Sequence, residues 1–355
     1  MSRRTATVTT AAVLLVALGC VAFLLPVPYV TMRPGPTRDV LAMSEGRAVI
    51  DIQGRRTYET DGSLRLTTVS VTSPDQSIGI GEAFEAWISP EQAVVPRDAI
   101  YPPDESAEES EQQATTQMAA SQDVAAAAAL RLLGEEVPEH VEVLDVADGT
   151  PADGEFERGD VIVGVDGAAL STSTALVRAI RDREVGADVR LTVRRGDAER
   201  EVTVSTVSSE AQGPAAGEPY PVIGVSLRLS YELPFDVEVN LPASIGGPSA
   251  GSVFAIGIYD ALTPGSLTGG RAIAGTGEVR VDGSVLPIGG IQQKLVGADL
   301  AGADVFLVPA ANCAEAADLD LDGAPRLVRM EEIGDAVDSL EALAADPEAD
   351  VPTCA

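Results

Sequence analysis

Residues 8–30 form one apolar run, broken only by Thr9, Thr10 and the late prolines Pro26 and Pro28. Such a run cannot stay in water and has to find a protein core or a lipid phase. At about 1.5 Å per residue, a helix over it reaches across a hydrocarbon layer of about 30 Å. Arg3 and Arg4 stand just before it. The positive-inside rule keeps such a flank in the cytoplasm and sends the following chain out. Residues 1–7 are therefore expected as a cytoplasmic N-terminus and 8–30 as an uncleaved transmembrane anchor. Two other readings compete. A cleaved signal segment would end after a shorter apolar core, whereas residues 21–25 carry the run past Gly19. A lipid-modified terminus at Ala17-Leu18-Gly19-Cys20 would need a polar tether, and the apolar stretch continues instead.

Composition narrows the rest. The length of 355 residues exceeds one ordinary core, and 45% apolar with 22% charged residues describes globular domains. Acids outnumber bases 55 to 24, giving a net charge of −31, and so acidic a surface repels phosphate. Nucleic acid is excluded as the main partner. His140 is the only histidine and Lys294 the only lysine. One histidine and no clustered cysteines cannot build a multi-histidine metal centre. A phosphate loop of the G-x-x-x-x-G-K-[ST] type needs Lys before Ser or Thr, and Lys294 precedes Leu295. No metal and no cofactor is implied. Cys20 falls in the apolar run, which leaves Cys313 and Cys354 in the exported part. In an oxidising compartment these two are candidates for a disulfide, two unpaired thiols being the other reading.

The pattern describes an α+β multidomain chain. Residues 31–133 read as an N-terminal α+β region that packs with the last domain. It has a strand meander over 40–72, a short helix marked by Phe84, Trp87 and Ile88, an exposed acidic loop over 102–113, and an Ala-rich helix over 115–133 that Gly134 ends. Residues 134–208 read as a separate small β unit with one helix near 173–182. Its Gly159-Asp160-Val161-Ile162 and Val165-Asp166-Gly167 segments resemble a PDZ domain of the bacterial protease type. In that family a peptide adds as a strand to the domain edge. No glycine-aromatic carboxylate loop precedes Val141, and a plain β spacer is the alternative. Residues 209–221 are a Gly/Pro/Ala linker, 222–345 the last domain and 346–355 a tail.

The chemistry gathers in the last domain. Gly246-Gly247-Pro248 leads into a helical pattern expected over 249–262, with Ser249 in its first turn. A serine there lies beside unpaired backbone N–H groups at the positive end of the helix dipole. Those amides are suited to an oxyanion, with the backbone around Gly247 a candidate part of the loop. A second helix is expected over 291–301. Ile291, Lys294, Leu295 and Ala298 share its apolar face, so the one lysine points toward the core. Desolvation lowers a lysine pKa and can leave a neutral base near physiological pH. The bland readings are a capping serine and a snorkelling lysine.

Three segments, Gly247-Pro248-Ser249-Ala250-Gly251, Ala274-Gly275-Thr276-Gly277-Glu278-Val279 and Gly283-Ser284-Val285-Leu286-Pro287-Ile288-Gly289-Gly290-Ile291-Gln292-Gln293-Lys294, occur in an order and spacing that resemble the proteolytic domain of Lon proteases. The resemblance covers about residues 220–345. It implies Ser249 as nucleophile, Lys294 as general base and Thr276 as the hydroxyl that orients the lysine. It also implies protein or peptide substrates and a ring, by analogy a hexamer. Gly246 departs from the pattern, because Lon proteases commonly carry an acidic residue two places before the proline. The attached ATPase is also missing from these residues. The combination resembles the membrane-anchored, PDZ-containing Lon-like serine proteases of Gram-positive bacteria, and the arginine and alanine bias suits an actinobacterial type. The expected function is ATP-independent extracytoplasmic peptidase activity. The alternative is a catalytically silent, membrane-anchored PDZ/Lon-fold adaptor.

Overall fold

The computed structural model describes residues 3–44, 46–102, 105–170, 173–209, 219–242, 244–321 and 323–354. The chain divides into two compact units, one built from Met1–Glu135 with Phe235–Ala355, the other from Glu136–Pro234. The helices in chain order are α1 (Arg3–Leu24), α2 (Ile80–Ile88), α3 (Ala107–Leu132), α4 (Ser173–Arg181), α5 (Gly251–Leu262), α6 (Ile291–Leu300), α7 (Cys313–Ala317) and α8 (Ile333–Ala345).

The apolar run is not one long helix. α1 stops at Leu24, and Pro26–Val27 and Tyr29–Pro34 are strands. Proline has no N–H for the helix ladder and pushes the residue before it toward extended geometry, so Pro26 and Pro28 stop α1. Among the described residues, no helix is long and apolar enough to cross a membrane. The expected spanning segment over 8–30 is corrected to that extent. The acidic loop is also shorter than expected. α3 starts at Ala107 because Ser106 and Glu109 form a reciprocal capping box, which satisfies two of the unpaired N–H groups at the helix start.

The centre of the larger unit is a five-stranded sheet. Its order is Arg326–Met330, Val305–Pro309, Ala272–Gly275, Ser63–Leu66 and Arg38–Asp39. The first four are parallel and the last antiparallel. Val305–Pro309 is buried along its whole length, as a central parallel strand has to be. Ser63–Leu66 sits inside this sheet, so the segment before the small β unit and the segment after it complete one core. α5 contributes the fully buried Phe254, Ile256 and Ile258. Ile291, Leu295 and Ala298 of α6 pack with Phe306 and Val308. α3 packs against α5, and its buried Ala125–Ala129 run permits a close approach.

Cys313 and Cys354 form a disulfide with Cα atoms 4.9 Å apart, and the Cys354 N–H donates to the Leu327 carbonyl. The bridge closes 41 residues. Chain-entropy arithmetic gives about 3–4 kcal/mol for a loop of that size. Cys313→Ser is accordingly expected to lower the denaturation midpoint measurably without changing the pH profile of activity.

The smaller unit has strands in the order Ala198–Ser205, Asp188–Arg195, Val161–Val165, Glu139–Val146 and Val225–Tyr231, with α4 beside them. Leu176 and Ile180 of α4 bury against Val143, Ile162, Val189 and Leu191. The Gly-Asp-Val-Ile segment has a structural reason. Asp160 is buried, accepts the Glu157 N–H and is held by Arg195 through Nε and a second nitrogen at 2.6 and 2.7 Å. Asp166 and Gly167 both have positive φ, 51° and 80°, which suits a tight two-residue hairpin. Val225–Tyr231 pairs with Glu139–Val146 along almost its whole length. That strand therefore belongs to the small unit and not to the last domain, where the boundary at 222 was expected. Its partner lies about eighty residues upstream, a pairing no local pattern announces. Most of the expected linker, 210–218, lies outside the described residues. His140 pairs with Glu232 at 3.1 Å in this unit.

Candidate active site

Ser63–Leu66 and Ala272–Gly275 run in parallel register, with Leu66 opposite Gly275. The next residue beyond each is a threonine, Thr67 and Thr276, both buried. In open parallel sheets the loops leaving the carboxyl ends of adjacent strands diverge and form a crevice. α6 delivers Lys294 to that crevice. Gly290, at φ 69°, turns the chain into α6, so that Ile291, Leu295 and Ala298 bury and Lys294 follows them inward.

Lys294 is 2% exposed. Its Nζ lies 2.8 Å from Ser249 Oγ, 2.9 Å from Thr276 Oγ1 and 3.1 Å from the Thr67 carbonyl. Thr276 Oγ1 donates its own proton to the Ser249 carbonyl at 2.9 Å. Burial lowers the lysine pKa from 10.5 to about 7. A neutral amine has two N–H donors and one lone pair. The Thr67 carbonyl can only accept. The Thr276 oxygen, its proton committed to Ser249, also accepts. Both N–H groups are then used, and the lone pair is left facing the Ser249 hydroxyl. The geometry thus fits an unprotonated lysine poised to take the serine proton.

Ser249 is half-buried and stands two residues before α5, whose cap is Ala250. It is therefore in the turn before the helix and not in the first turn as expected. Two contacts from α3 hold this turn. Ser121 Oγ donates to the Pro248 carbonyl at 3.0 Å, and the Gly247 N–H donates to the Ala114 carbonyl at 2.9 Å. The second contact corrects the expectation for Gly247, because its amide is occupied and cannot serve an oxyanion. Among the described residues the Ser249 N–H has no acceptor, and it lies at the amino end of α5. Gly246 also finds its reason here. A Cβ built on it would come within 2.6 Å of the Ala114 methyl, so an acidic side chain would force α3 away. The site opens on a cleft of about 430 Å³ lined by Pro36, Thr68–Val71, Ser244–Gly246, Ser249 and Lys294.

Sequence reasoning missed Thr67, Ser121 and Ala114. Thr67 and Ala114 act through carbonyl oxygens, which every residue has. Ser121 lies in the Ala-rich helix expected over 115–133, where nothing local signals that its hydroxyl reaches the Pro248 carbonyl.

Two regions match known families. Residues 111–206 match the PDZ domain family, and residues 234–341 match the Lon protease (S16) C-terminal proteolytic domain. The chain carries a PDZ domain and a Lon-type proteolytic domain. The chain is 41% identical over 97 residues to Lon protease 1 of Sorangium cellulosum, covering 26% of this chain and 11% of that protein. It is 32% identical over 157 residues to the Lon protease of Phenylobacterium zucineum, covering 42% and 18%. The chain thus spans less than a fifth of the length of either relative. A PDZ domain of an SdrC-like protein from Listeria monocytogenes is 28% identical over 24% of this chain and 85% of that one, with a TM-score of 0.22.

Among the described residues, Thr276 is the lysine's one hydroxyl partner besides the serine. Thr276→Val removes both the acceptor for Nζ and the donor to the Ser249 carbonyl. The expected result is a fall in kcat/KM of about 10- to 100-fold, with KM little changed, and recovery of most of the activity in Thr276→Ser. Equal activity in the valine and serine variants would show that the hydroxyl has no positioning role.

Proposed function

We propose that this protein is an ATP-independent serine endopeptidase that works through a Ser249–Lys294 dyad. The observation that carries the reading is the hydrogen-bond set at Lys294 Nζ, whose two acceptor partners leave the lone pair for Ser249. Ser249 Oγ attacks the scissile carbonyl while Nζ takes its proton. The ammonium then gives that proton to the leaving amine as the C–N bond breaks. Water deacylates the ester with Lys294 again accepting a proton. The Ser249 N–H at the start of α5 is the candidate oxyanion donor.

The cleft also suggests how substrate binds. Val69–Val71 pairs on one side with Met32–Pro34 and, among the described residues, has no strand on the other. That free edge lies in the cleft beside Ser249, so a peptide can add there as an extended strand. Such binding needs an unfolded or flexible segment, and these 355 residues contain no phosphate loop for a nucleotide-driven unfolding motor. The PDZ domain would bind or gate substrate, and a homo-oligomeric ring would follow the family pattern.

We further propose an extracytoplasmic location with lipid contact through α1. The disulfide supports an oxidising compartment. Arg3 and Arg4 at the start of α1, and the exposed apolar side chains Val13, Leu15 and Leu18 along it, support lipid contact. The full chain should cleave unfolded casein without nucleotide and leave a folded, loop-poor protein intact, with Ser249→Ala inactive. Cleavage that survived in Ser249→Ala would overturn the site. Silence of the parent in detergent and in vesicles would favour an adaptor.

A further inference from the structure

α2 is amphipathic in reverse. Its small residue Ala86 is 1% exposed, while Ile80, Phe84, Trp87 and Ile88 are 41, 53, 73 and 62% exposed. Their spacing of four, three and one places them on one helix face. Scattered surface leucines need no explanation, but four large apolar side chains on one nine-residue helix do. Their position supplies one. Ile78–Gly79, which leads into α2, pairs with Pro26–Val27, which leaves α1. The Ile80 N–H donates to the Leu25 carbonyl at 3.3 Å. α1 packs on α2, and the Phe23 ring lies so close over Gly81 that a Cβ there would meet it at 2.1 Å. Phe23 and Leu25 are themselves 57 and 51% exposed. The exposed apolar side chains Phe23 and Leu25, at and just beyond the end of α1, therefore adjoin the apolar face of α2.

We propose that this face of α2 is a second lipid-contact surface, with Phe84, Trp87 and Ile88 seated in the interfacial layer of the bilayer that receives α1. The inference rests on the reading that α1 contacts lipid. Aromatic side chains, and tryptophan above all, collect at that depth because the ring is apolar while the indole N–H still needs a polar partner. The charges decide the kind of lipid. Glu82 is paired with Arg33 at 3.1 Å, and Glu85 is exposed on the same helix. The whole chain carries −31, so anionic headgroups offer no attraction. The contact has to be apolar, made with zwitterionic lipid and insensitive to salt. The surface would hold the larger unit, and with it the Ser249 cleft, at a fixed height over the membrane.

Trp87 is the only tryptophan in the chain, so its fluorescence reports on α2 alone. The full chain is reconstituted into phosphatidylcholine vesicles, and flotation shows whether it associates. Trp87 emission is then compared in plain and brominated phosphatidylcholine, with iodide as the aqueous quencher. The expected result is flotation, about twofold or greater quenching by bromolipid, weak quenching by iodide, and no change at high salt. Phe84→Ser with Ile88→Ser should lose most of the bromolipid quenching while peptidase activity in solution stays at the parent level. Failure to float overturns both the α1 reading and this one. Flotation with Trp87 open to iodide and untouched by bromolipid overturns this one alone. Shielding from both quenchers would assign the face to a second copy of the chain and equally overturn it.

Discussion

Lys294→Met is expected to lower kcat/KM for a flexible peptide substrate by about 10³- to 10⁴-fold, and Ser249→Ala by at least as much. The two losses should not add in the double variant, because the proposed dyad makes serine and lysine partners in one proton transfer. In the parent, kcat/KM should rise with pH through about 7, where Lys294 loses its proton, and then level off. Stability should move the other way in the lysine variant. The folded-state pKa is depressed from 10.5 to about 7. Below pH 7 the folded and unfolded chains both carry the proton, and the folded one bears the full cost of a buried ammonium. Between 7 and 10.5 only the unfolded chain holds it, and the cost shrinks as pH rises. Lys294→Met is therefore expected to be more stable than the parent by about 2 kcal/mol at pH 6, with the gain fading toward pH 10. Each pKa unit carries about 1.4 kcal/mol, and the unpaired Thr67 carbonyl offsets part of that sum. Urea melts at several pH values measure it. A variant that is less stable than the parent at every pH would contradict a buried, neutral lysine.

Gly62→Ala is expected to cost about 3 kcal/mol and to take activity with it. Gly62 has φ 72°, a conformation that side chains resist. Its missing Cβ also makes room, since a built Cβ would lie 2.4 Å from the Arg271 carbonyl and 2.8 Å from the Arg271 nitrogen. These are backbone atoms next to Ala272–Gly275 and cannot swing aside. The Ser63 N–H donates to that same carbonyl at 2.9 Å, which starts the parallel pairing that runs to Leu66, the residue before Thr67. Displacing Gly62 therefore shifts the carbonyl that holds Lys294. Thermal melts should show the loss, and below the lowered midpoint the folded variant should still be slow. A variant with parental melting and parental rate would show that this turn does not set the site.

How much of this was readable from the residues differs by element. Ser249, Lys294 and Thr276 were readable because each lies in a glycine-rich segment whose order and spacing are distinctive. Only folding reveals that Thr67 meets Lys294 across 227 positions, because its contribution is a carbonyl. Asp61-Gly62 is a turn signal in the sequence, yet nothing local says that the strand after it enters the five-stranded sheet behind the candidate site. The capping box at Ser106 and Glu109 was there to be read, but the acidic composition around it suggested a loop. Pro26 and Pro28 interrupt the apolar run in the sequence, and the helix stops before them. The boundary expected at 222 puts Val225–Tyr231 in the last domain, whereas it pairs within the small unit, since strand partners are chosen by tertiary packing.

Because Lys294 is the only lysine, protein grown with ¹³Cε-labelled lysine gives one lysine signal, and its titration reads the proposed general base directly. A midpoint of about 7 in the folded protein, moving to the ordinary value on unfolding, is what a neutral general base beside Ser249 requires. A folded-state midpoint near 10.5 would mean a charged lysine that cannot take the serine proton, and would contradict the account.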